Sequence, residues 1–540
     1  MRKKTILKKT MSCLLSAVLV AGAVLLGGCG SSSADSQTGA ATGESKQSEV
    51  TAVASAHDTL AVAVSSAPIT VDASNISDNA SWIVAYNLYT PLLVPSETQV
   101  DGVAYGDKGN PTTEGGLVDS YTVDDTQTVY TFTLKSGIKF NTGTELTSQA
   151  VIDTLDYTNG GFLYSVSGIQ SYEAVDDLTF TITLGEPNAF FLSACTSIFP
   201  IDFSAIPDGE EPATWLGSNA AGVGAYNLDT WDPSSAIVLS ANADYFAGAP
   251  VFQKIVIQYV PEASNHTLLL QSGDIDLSTA VQTKDLAGLD SGATKVTEAA
   301  SNRIAYLTLN SQVAPFDNAD LRKAVMYAIP YDSLVNDVMD AHASKMISAV
   351  PYTLTGAVDS QAYEYNLEKA KEYLTAAGYP DGFEFTFTLC SGYSDYSDSA
   401  VLIQSELAKI GIKMNIQTVE YSEFTEILKG GEEQAFINSW TPFVPHIMYH
   451  INSLFKSSGM FNRYACIKDS TVDSLLEGIN SLPEEEYNTR LEEIQKEITD
   501  YACWGYLYQY NNAVVSNTSL QGTLIYSDSV PRLYKLSWAE

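Results

Sequence analysis

The segment Trp440-Thr441-Pro442-Phe443-Val444-Pro445-His446, with His450 four residues further on, gathers side chains able to bind something. If a helix starts at Pro445, where proline suits the first turn, the two imidazoles share one face. Two histidines at that spacing can hold a transition metal. The same spacing suits a His446 that fills a first helical turn and a His450 on the surface. Trp440 offers a flat ring, worth about 1 kcal/mol beyond area burial when it packs on a ligand, and serves equally as a core residue. Tyr393, Tyr396, Tyr421 and Tyr449 each combine an apolar ring with a hydrogen-bonding tip. Such residues suit peptides and oligosaccharides, and also ordinary packing.

Nothing in the chain points to turnover. There is no G-x-S-x-G elbow, no H-E-x-x-H helix and no G-x-x-x-x-G-K-[ST] phosphate loop. Five histidines, with His57 in a low-complexity stretch, leave few general bases, and no carboxylate pair is singled out. No enzyme activity and no cofactor are expected, a secreted hydrolase being the rival class. A scaffold or adhesin would show repeats, and none is visible. The formal net charge of -36 repels nucleic acid and anionic lipid and favours solubility.

The 540 residues exceed a single ordinary domain, and the 45% hydrophobic fraction suits a globular body. The chain starts with Arg2, Lys3, Lys4, Lys8 and Lys9, followed by an apolar run over residues 11–26. Leu26-Gly27-Gly28-Cys29 then resembles the lipobox of bacterial lipoproteins. That resemblance implies cleavage before Cys29, lipidation of Cys29, and a chain anchored at the outer face of the cytoplasmic membrane, at the cell surface or in the periplasm. Residues 30–56 are rich in Ser, Ala, Gly, Thr and Gln and cannot bury a core, so a flexible tether is expected. No later segment approaches the ~18 apolar residues of a spanning helix. Besides Cys13 and Cys29, the cysteines are Cys195, Cys390, Cys466 and Cys503. Their spacing is not that of a zinc site, and both disulfides and buried thiols remain open.

Strands and helices alternate irregularly after residue 58. The patterns predict strands over residues 59–64, 129–134, 179–184, 255–259 and 383–389. Asn366 reads as an N-cap, Ala370, Leu374 and Ala377 as one helix face, and Gly378 as its C-terminal stop. Tyr487, Leu491, Ile494, Ile498 and Tyr501 recur at helical spacing and predict a core-facing helix.

Several stretches resemble the family 5 extracellular solute-binding proteins, the peptide- and nickel-type receptors of ABC importers. They are Gly137-Ile138-Lys139-Phe140-Asn141-Thr142-Gly143-Thr144-Glu145-Leu146-Thr147 with Ala150-Val151, then Gly222-Val223-Gly224-Ala225-Tyr226. Asn242-Ala243-Asp244-Tyr245-Phe246-Ala247-Gly248-Ala249-Pro250, Ser272-Gly273-Asp274-Ile275-Asp276, and Pro315-Phe316-Asp317 with Leu321-Arg322-Lys323-Ala324-Val325 follow in order. Ala370 to Gly378 with Asp381-Gly382-Phe383 completes the series. In this series Arg322 reads as a helix-surface residue.

The resemblance implies an α/β, two-lobed periplasmic-binding-protein-like fold of type II, in the large cluster with an extra subdomain in the first lobe and two hinge crossings. The implied division is a signal peptide over 1–28, a tether over 29–57, the first lobe over 58–90 and 220–306 with its extra subdomain over 91–219, the second lobe over 307–506, and a return to the first lobe over 507–540. The hinges fall near residues 302–310 and 505–510. The implied partners are a small solute, foremost a peptide, and membrane permease subunits, with a lipid anchor and a monomeric chain.

Peptide receptors of this family hold the ligand's ammonium with an aspartate shortly after a tryptophan. After Trp440 there is none, so Asp395, Asp398 or Asp202 stands as a substitute. In the nickel-chelate receptors a tryptophan is followed by Pro-His, which Pro445-His446 fits, with His446 and His450 as the alternative metal pair. Those receptors also grip the chelator with arginines, but Phe199-Pro200-Ile201-Asp202 carries an aspartate in that place. The candidate ligand site is therefore Trp440, His446, Tyr393, Tyr396, Tyr421, Arg303 and Asp202.

Overall fold

The computed structural model describes residues 58–539 apart from 77, 101–102, 160–166, 361–362 and 443. The expected leader, Cys29 and the tether lie outside the described residues.

Small and branched residues alternate in Thr59–Val64, and all six are buried. Both faces of this strand are covered. Leu60, Val62 and Val64 enter one core, and Ala63 enters another with Leu270, Ile275 and Leu286. The strand pairs in parallel with Lys254–Tyr259 on one side and Leu277–Ser278 on the other. It belongs to an 11-stranded sheet. From one edge the order is Lys413–Val419, Glu384–Cys390, Ala435–Trp440, Thr294–Leu309, Trp504–Asn517, Leu277–Ser278, Thr59–Val64, Lys254–Tyr259, Ala236–Ala241 and Tyr226–Asp232, with Ala343–Ser344 beside Trp504–Asn517.

The central two strands are the long ones, and they serve both halves of the sheet. Residues 294–300 pair with residues 511–517, on the side of the sheet that leads on to Leu277–Ser278 and Thr59–Val64. Residues 304–309 pair with residues 504–509 and with Ala435–Trp440, on the side that leads on to Glu384–Cys390 and Lys413–Val419. The register shifts between Ala300 and Ile304. A β-bulge of this kind bends a strand and re-aims the side chains at the break.

A separate four-stranded sheet joins Val118–Val123, Val129–Leu134, Thr179–Leu184 and Ile169–Ala174. Its central pair carries Phe132 opposite Phe180, with rings 5.1 Å apart and stacked. Gly224 packs where no side chain fits, since a Cβ there would lie 2.3 Å from the Leu88 carbonyl oxygen.

The helix at Leu367–Ala376 begins at Asn366, whose side chain accepts the Lys369 N–H at 3.0 Å, and Gly378 follows it with φ of 85°. The helix Glu484–Tyr501 buries Leu491, Ile494 and Ile498. Cys195, Cys390, Cys466 and Cys503 are buried free thiols.

Arg322 departs from the sequence expectation. It is only 4% exposed, not a surface residue. Its guanidinium donates to the Tyr501 carbonyl at 2.8 and 3.1 Å and to the Phe316 carbonyl at 2.7 Å, and stacks on the Tyr501 ring. The unsatisfied carbonyls at the end of the helix Glu484–Tyr501 attract a cation, and periodicity within residues 319–328 cannot register a partner so distant in sequence.

Candidate functional site

The three strands Glu384–Cys390, Lys413–Val419 and Ala435–Trp440 run parallel. Helix Ser394–Ala408 packs Ala400, Ile403 and Leu407 into one core, and helix Tyr421–Gly430 packs Phe424 and Leu428 into another. A parallel sheet covered on both faces binds ligands beyond the carboxyl ends of its strands, where successive connections diverge. A cavity of about 310 Å³ lies in that place. Cys390 and Trp440 reach it from strand ends, Tyr393, Tyr396 and Tyr421 from helix starts, and Arg303 from the bulge.

The structure thus brings together five of the sequence-derived candidates: Arg303, Tyr393, Tyr396, Tyr421 and Trp440. Tyr393 and Tyr396 stack with ring centres 4.7 Å apart. Trp440 lies 5.0 Å from Phe461, and Phe461 stacks on Tyr464. The indole Nε1 of Trp440 is buried with no hydrogen-bond partner among the described residues.

Arg303 is held by the bulge itself. The Ser301 hydroxyl donates to the Tyr510 carbonyl at 2.9 Å and accepts the Arg303 N–H at 3.1 Å. The Gln509 side-chain amide donates to the Ser301 carbonyl at 2.6 Å. The Arg303 guanidinium donates to the Ser439 hydroxyl at 3.3 and 3.4 Å. Burial works against its charge, but Tyr510, Tyr396 and Asp395 more than offset that and raise its pKa. Burial also raises the pKa of the Tyr396 hydroxyl, which is hydrogen-bonded to Ser439 and Arg303. The Asp395 carboxylate accepts from the hydroxyls of Tyr510 at 2.5 Å and Tyr508 at 3.4 Å.

Arg303 also lines a second cavity of about 440 Å³. This one is more polar, with Asn511, Asn512, Asp528 and Ser529 facing Thr441. Asp528 makes a two-pronged ion pair with the buried Arg532, at 2.8 and 2.7 Å. Arg532 in turn lies between the rings of Tyr86 and Tyr526.

Two candidates fall elsewhere. Asp202 begins a 3-10 turn and accepts from Ser204 and from the Thr142 hydroxyl at 2.5 Å. Burial pushes its carboxyl up, and the hydrogen bonds from Ser204, Thr142 and Thr144 overcome this and lower its pKa. His446 does not open a helix at Pro445. It is the N-cap of Ile447–Leu454, and its Nδ1 accepts the Met448 N–H at 3.2 Å. His450 is fully buried, with Nε2 2.9 Å from the Ala349 carbonyl oxygen. Their ring bonds therefore point to separate backbone partners and not to a shared ion. No group of three or more His, Cys, Asp or Glu side chains placed to hold a metal ion occurs among the described residues.

Sequence reasoning missed Phe424, Phe461, Tyr464 and Ser439 in the aromatic cavity, and Asp528 in the polar one. Phe461 and Tyr464 belong to the four-residue helix Asn462–Ala465 and its N-cap, too short to give a periodic signal. Asp528 lies over 200 residues from Arg303 and is joined to it only by the fold.

A sheet whose two long central strands pass between its halves, with cavities meeting at their bulge, defines a two-lobed solute-binding protein. The family model described as "Bacterial extracellular solute-binding proteins, family 5 Middle" matches residues 112–462, and the chain belongs to that family, the substrate-binding receptors of ABC importers. It is similar to the probable D,D-dipeptide-binding periplasmic protein DdpA of Escherichia coli, 28% identical over 479 residues, covering 86% of this chain and 91% of the relative. The heme-binding protein A of Haemophilus influenzae is 29% identical over 432 residues, covering 74% and 79%. Among solved structures, the ABC transporter substrate-binding protein CtaP of Listeria monocytogenes superposes with a TM-score of 0.79 at 22% identity, covering 89% of this chain and 99% of that one. Among the described residues no helix is long and apolar enough to cross a membrane.

Proposed function

We propose that this chain captures a short peptide or a closely related small solute between its two lobes and hands it to a membrane permease, without catalysing a reaction. The observation that carries this reading is Arg303. It stands on the bulge between the two halves of the sheet and lines both cavities at once. A solute seated there touches side chains of both lobes, so its binding energy favours the closed arrangement. The bulge around residues 300–304 and the facing residues 509–511 would act as the hinge. A dipeptide-binding relative of similar length supports a peptide as the solute. The metal-chelate reading has less support, because His446 and His450 bond backbone groups of different segments.

We also propose that Cys29 carries a lipid anchor, with residues 30–56 as the leash. A receptor tethered near its permease raises the local encounter rate. Replacing Cys29 by Ala should release the protein from the membrane fraction.

Native mass spectrometry of protein purified from cells tests the main reading. A co-purifying mass that fragments as a peptide supports it. A metal chelate, a porphyrin or a sugar in its place overturns it.

A further inference from the structure

The two cavities that meet at Arg303 differ in chemistry, and the difference has a direction. The smaller is walled by rings, among them Tyr393, Tyr396, Tyr421, Phe424, Trp440 and Phe461, and among the described residues no carboxylate lines it. The larger carries amides, hydroxyls and the Asp528 carboxylate beside apolar residues such as Leu286, Val514 and Leu524. Arg303 stands at the junction. Among the described residues no carboxylate lies within salt-bridge distance of it, its contacts being the Ser439 hydroxyl and the Tyr510 and Tyr396 side chains. A mostly buried guanidinium without an ion-pair partner is completed by an anion, and a carboxylate matches its fork. The buried, unpartnered Trp440 N–H offers a further donor beside it.

An aromatic box can also hold a quaternary ammonium group. Here Arg303 would oppose that charge. Water is a poor filler for walls so rich in rings, whereas a flat side chain stacks on them. An apolar cavity of ~150 Å³ accepts benzene, and this one, at about 310 Å³, has room for a phenyl or indole group.

Resting on the peptide-receptor reading, we infer that the ligand is a short peptide ending in an aromatic residue. Its terminal carboxylate lies on Arg303, its last side chain fills the aromatic cavity, and its earlier residues run through the polar cavity toward Asp528.

Calorimetric titration with Ala-Ala-Trp, Trp-Ala-Ala, Ala-Ala-Ala and the C-terminal amide of Ala-Ala-Trp tests this. Ala-Ala-Trp should bind about tenfold or more tighter than each of the others. Arg303→Met should remove the difference between acid and amide while leaving the preference for tryptophan over alanine. Tyr421→Ala, at a mostly exposed ring whose loss spares the fold, should do the reverse. If all four peptides bind alike, or if amidation costs nothing, the inference fails and the peptide-receptor reading stands. If the folded protein binds none of them, the inference fails, and the mass of the co-purifying solute then decides whether the peptide reading falls with it.

Discussion

The guanidinium carbon of Arg303 lies 4.1 Å from the centre of the Tyr510 ring, one crossing strand against the other. Tyr510 is fixed from behind by its 2.5 Å bond to Asp395. The acid and the ring together favour the charged guanidinium, which lines both cavities. Replacing Tyr510 by Phe keeps the ring and removes that bond. The expected result is a loss of about 1 kcal/mol in stability, typical of one hydrogen bond, and a several-fold weaker affinity for the solute. Urea unfolding and ligand titration of the same variant measure the two effects.

Trp440 is half-buried against Phe461 and lines the aromatic cavity. Truncation to Ala should weaken solute binding at least about tenfold, as loss of an aromatic anchor does. Its cost to the fold should stay below the about 3–5 kcal/mol of a fully buried aromatic. An unfolded variant would instead assign Trp440 to the core, and unchanged binding would remove it from the site.

Phe190 joins parts of the chain that are far apart in sequence. It follows the four-stranded sheet in the chain, yet it packs into the core that holds Ile304, Phe436, Ile451 and Trp504, 5.6 Å from the Tyr449 ring and 6.2 Å from His446. Nearby, Asn480 donates to the Pro187 carbonyl at 3.0 Å. Under the proposed division into lobes, these contacts join the two and form on closure. Phe190→Ala should therefore leave the fold of each lobe intact and shift the population toward open forms. Small-angle scattering of the unliganded variant should show a larger radius of gyration, with weaker apparent affinity.

Much of this was legible in the chain because local rules and tertiary structure agree. Residues 129–134 and 179–184 alternate every second position, and they form adjacent antiparallel strands. Asn366 and Gly378 bound their helix as capping chemistry requires. Five of the seven candidate ligand residues converge, four because they stand where parallel strands end and Arg303 because the bulge between antiparallel strands brings it there. Asp202 and His446 did not join them. A carboxylate beside hydroxyls and a histidine before a helix are as useful for capping as for binding, and only the backbone path decides. The π-helical turn at Leu334–Val338 and the bulge at residues 300–304 had no signal, since each is imposed by contacts distant in sequence.

Two buried groups set opposite slopes in the dependence of stability on pH. Burial lowers the pKa of His450 to about 4. Its unfolded value is ~6.5, so the unfolded chain binds the extra proton between those values. Its contribution is full above pH ~6.5 and is lost as the pH falls toward 4, at up to about 1.4 kcal/mol per pH unit. Glu433 is 6% exposed, and burial raises its carboxyl to about 7. Its contribution is full below the unfolded value of ~4.3 and is lost as the pH rises through 7. The Oε2 of Glu433 is buried without a hydrogen-bond partner among the described residues, and its Oε1 accepts from the Cys466 thiol at 3.7 Å. Glu433→Gln should therefore gain up to about 3 kcal/mol at pH 8 and little at pH 4. His450→Gln, which can still donate to the Ala349 carbonyl, should flatten the acid limb between pH 6.5 and 4 and leave the alkaline limb unchanged. Urea unfolding of both variants from pH 4 to 8 measures the two limbs separately. An acid limb that persists in His450→Gln would move that slope to other groups, with His446, also lowered to about 4 by burial, first among them.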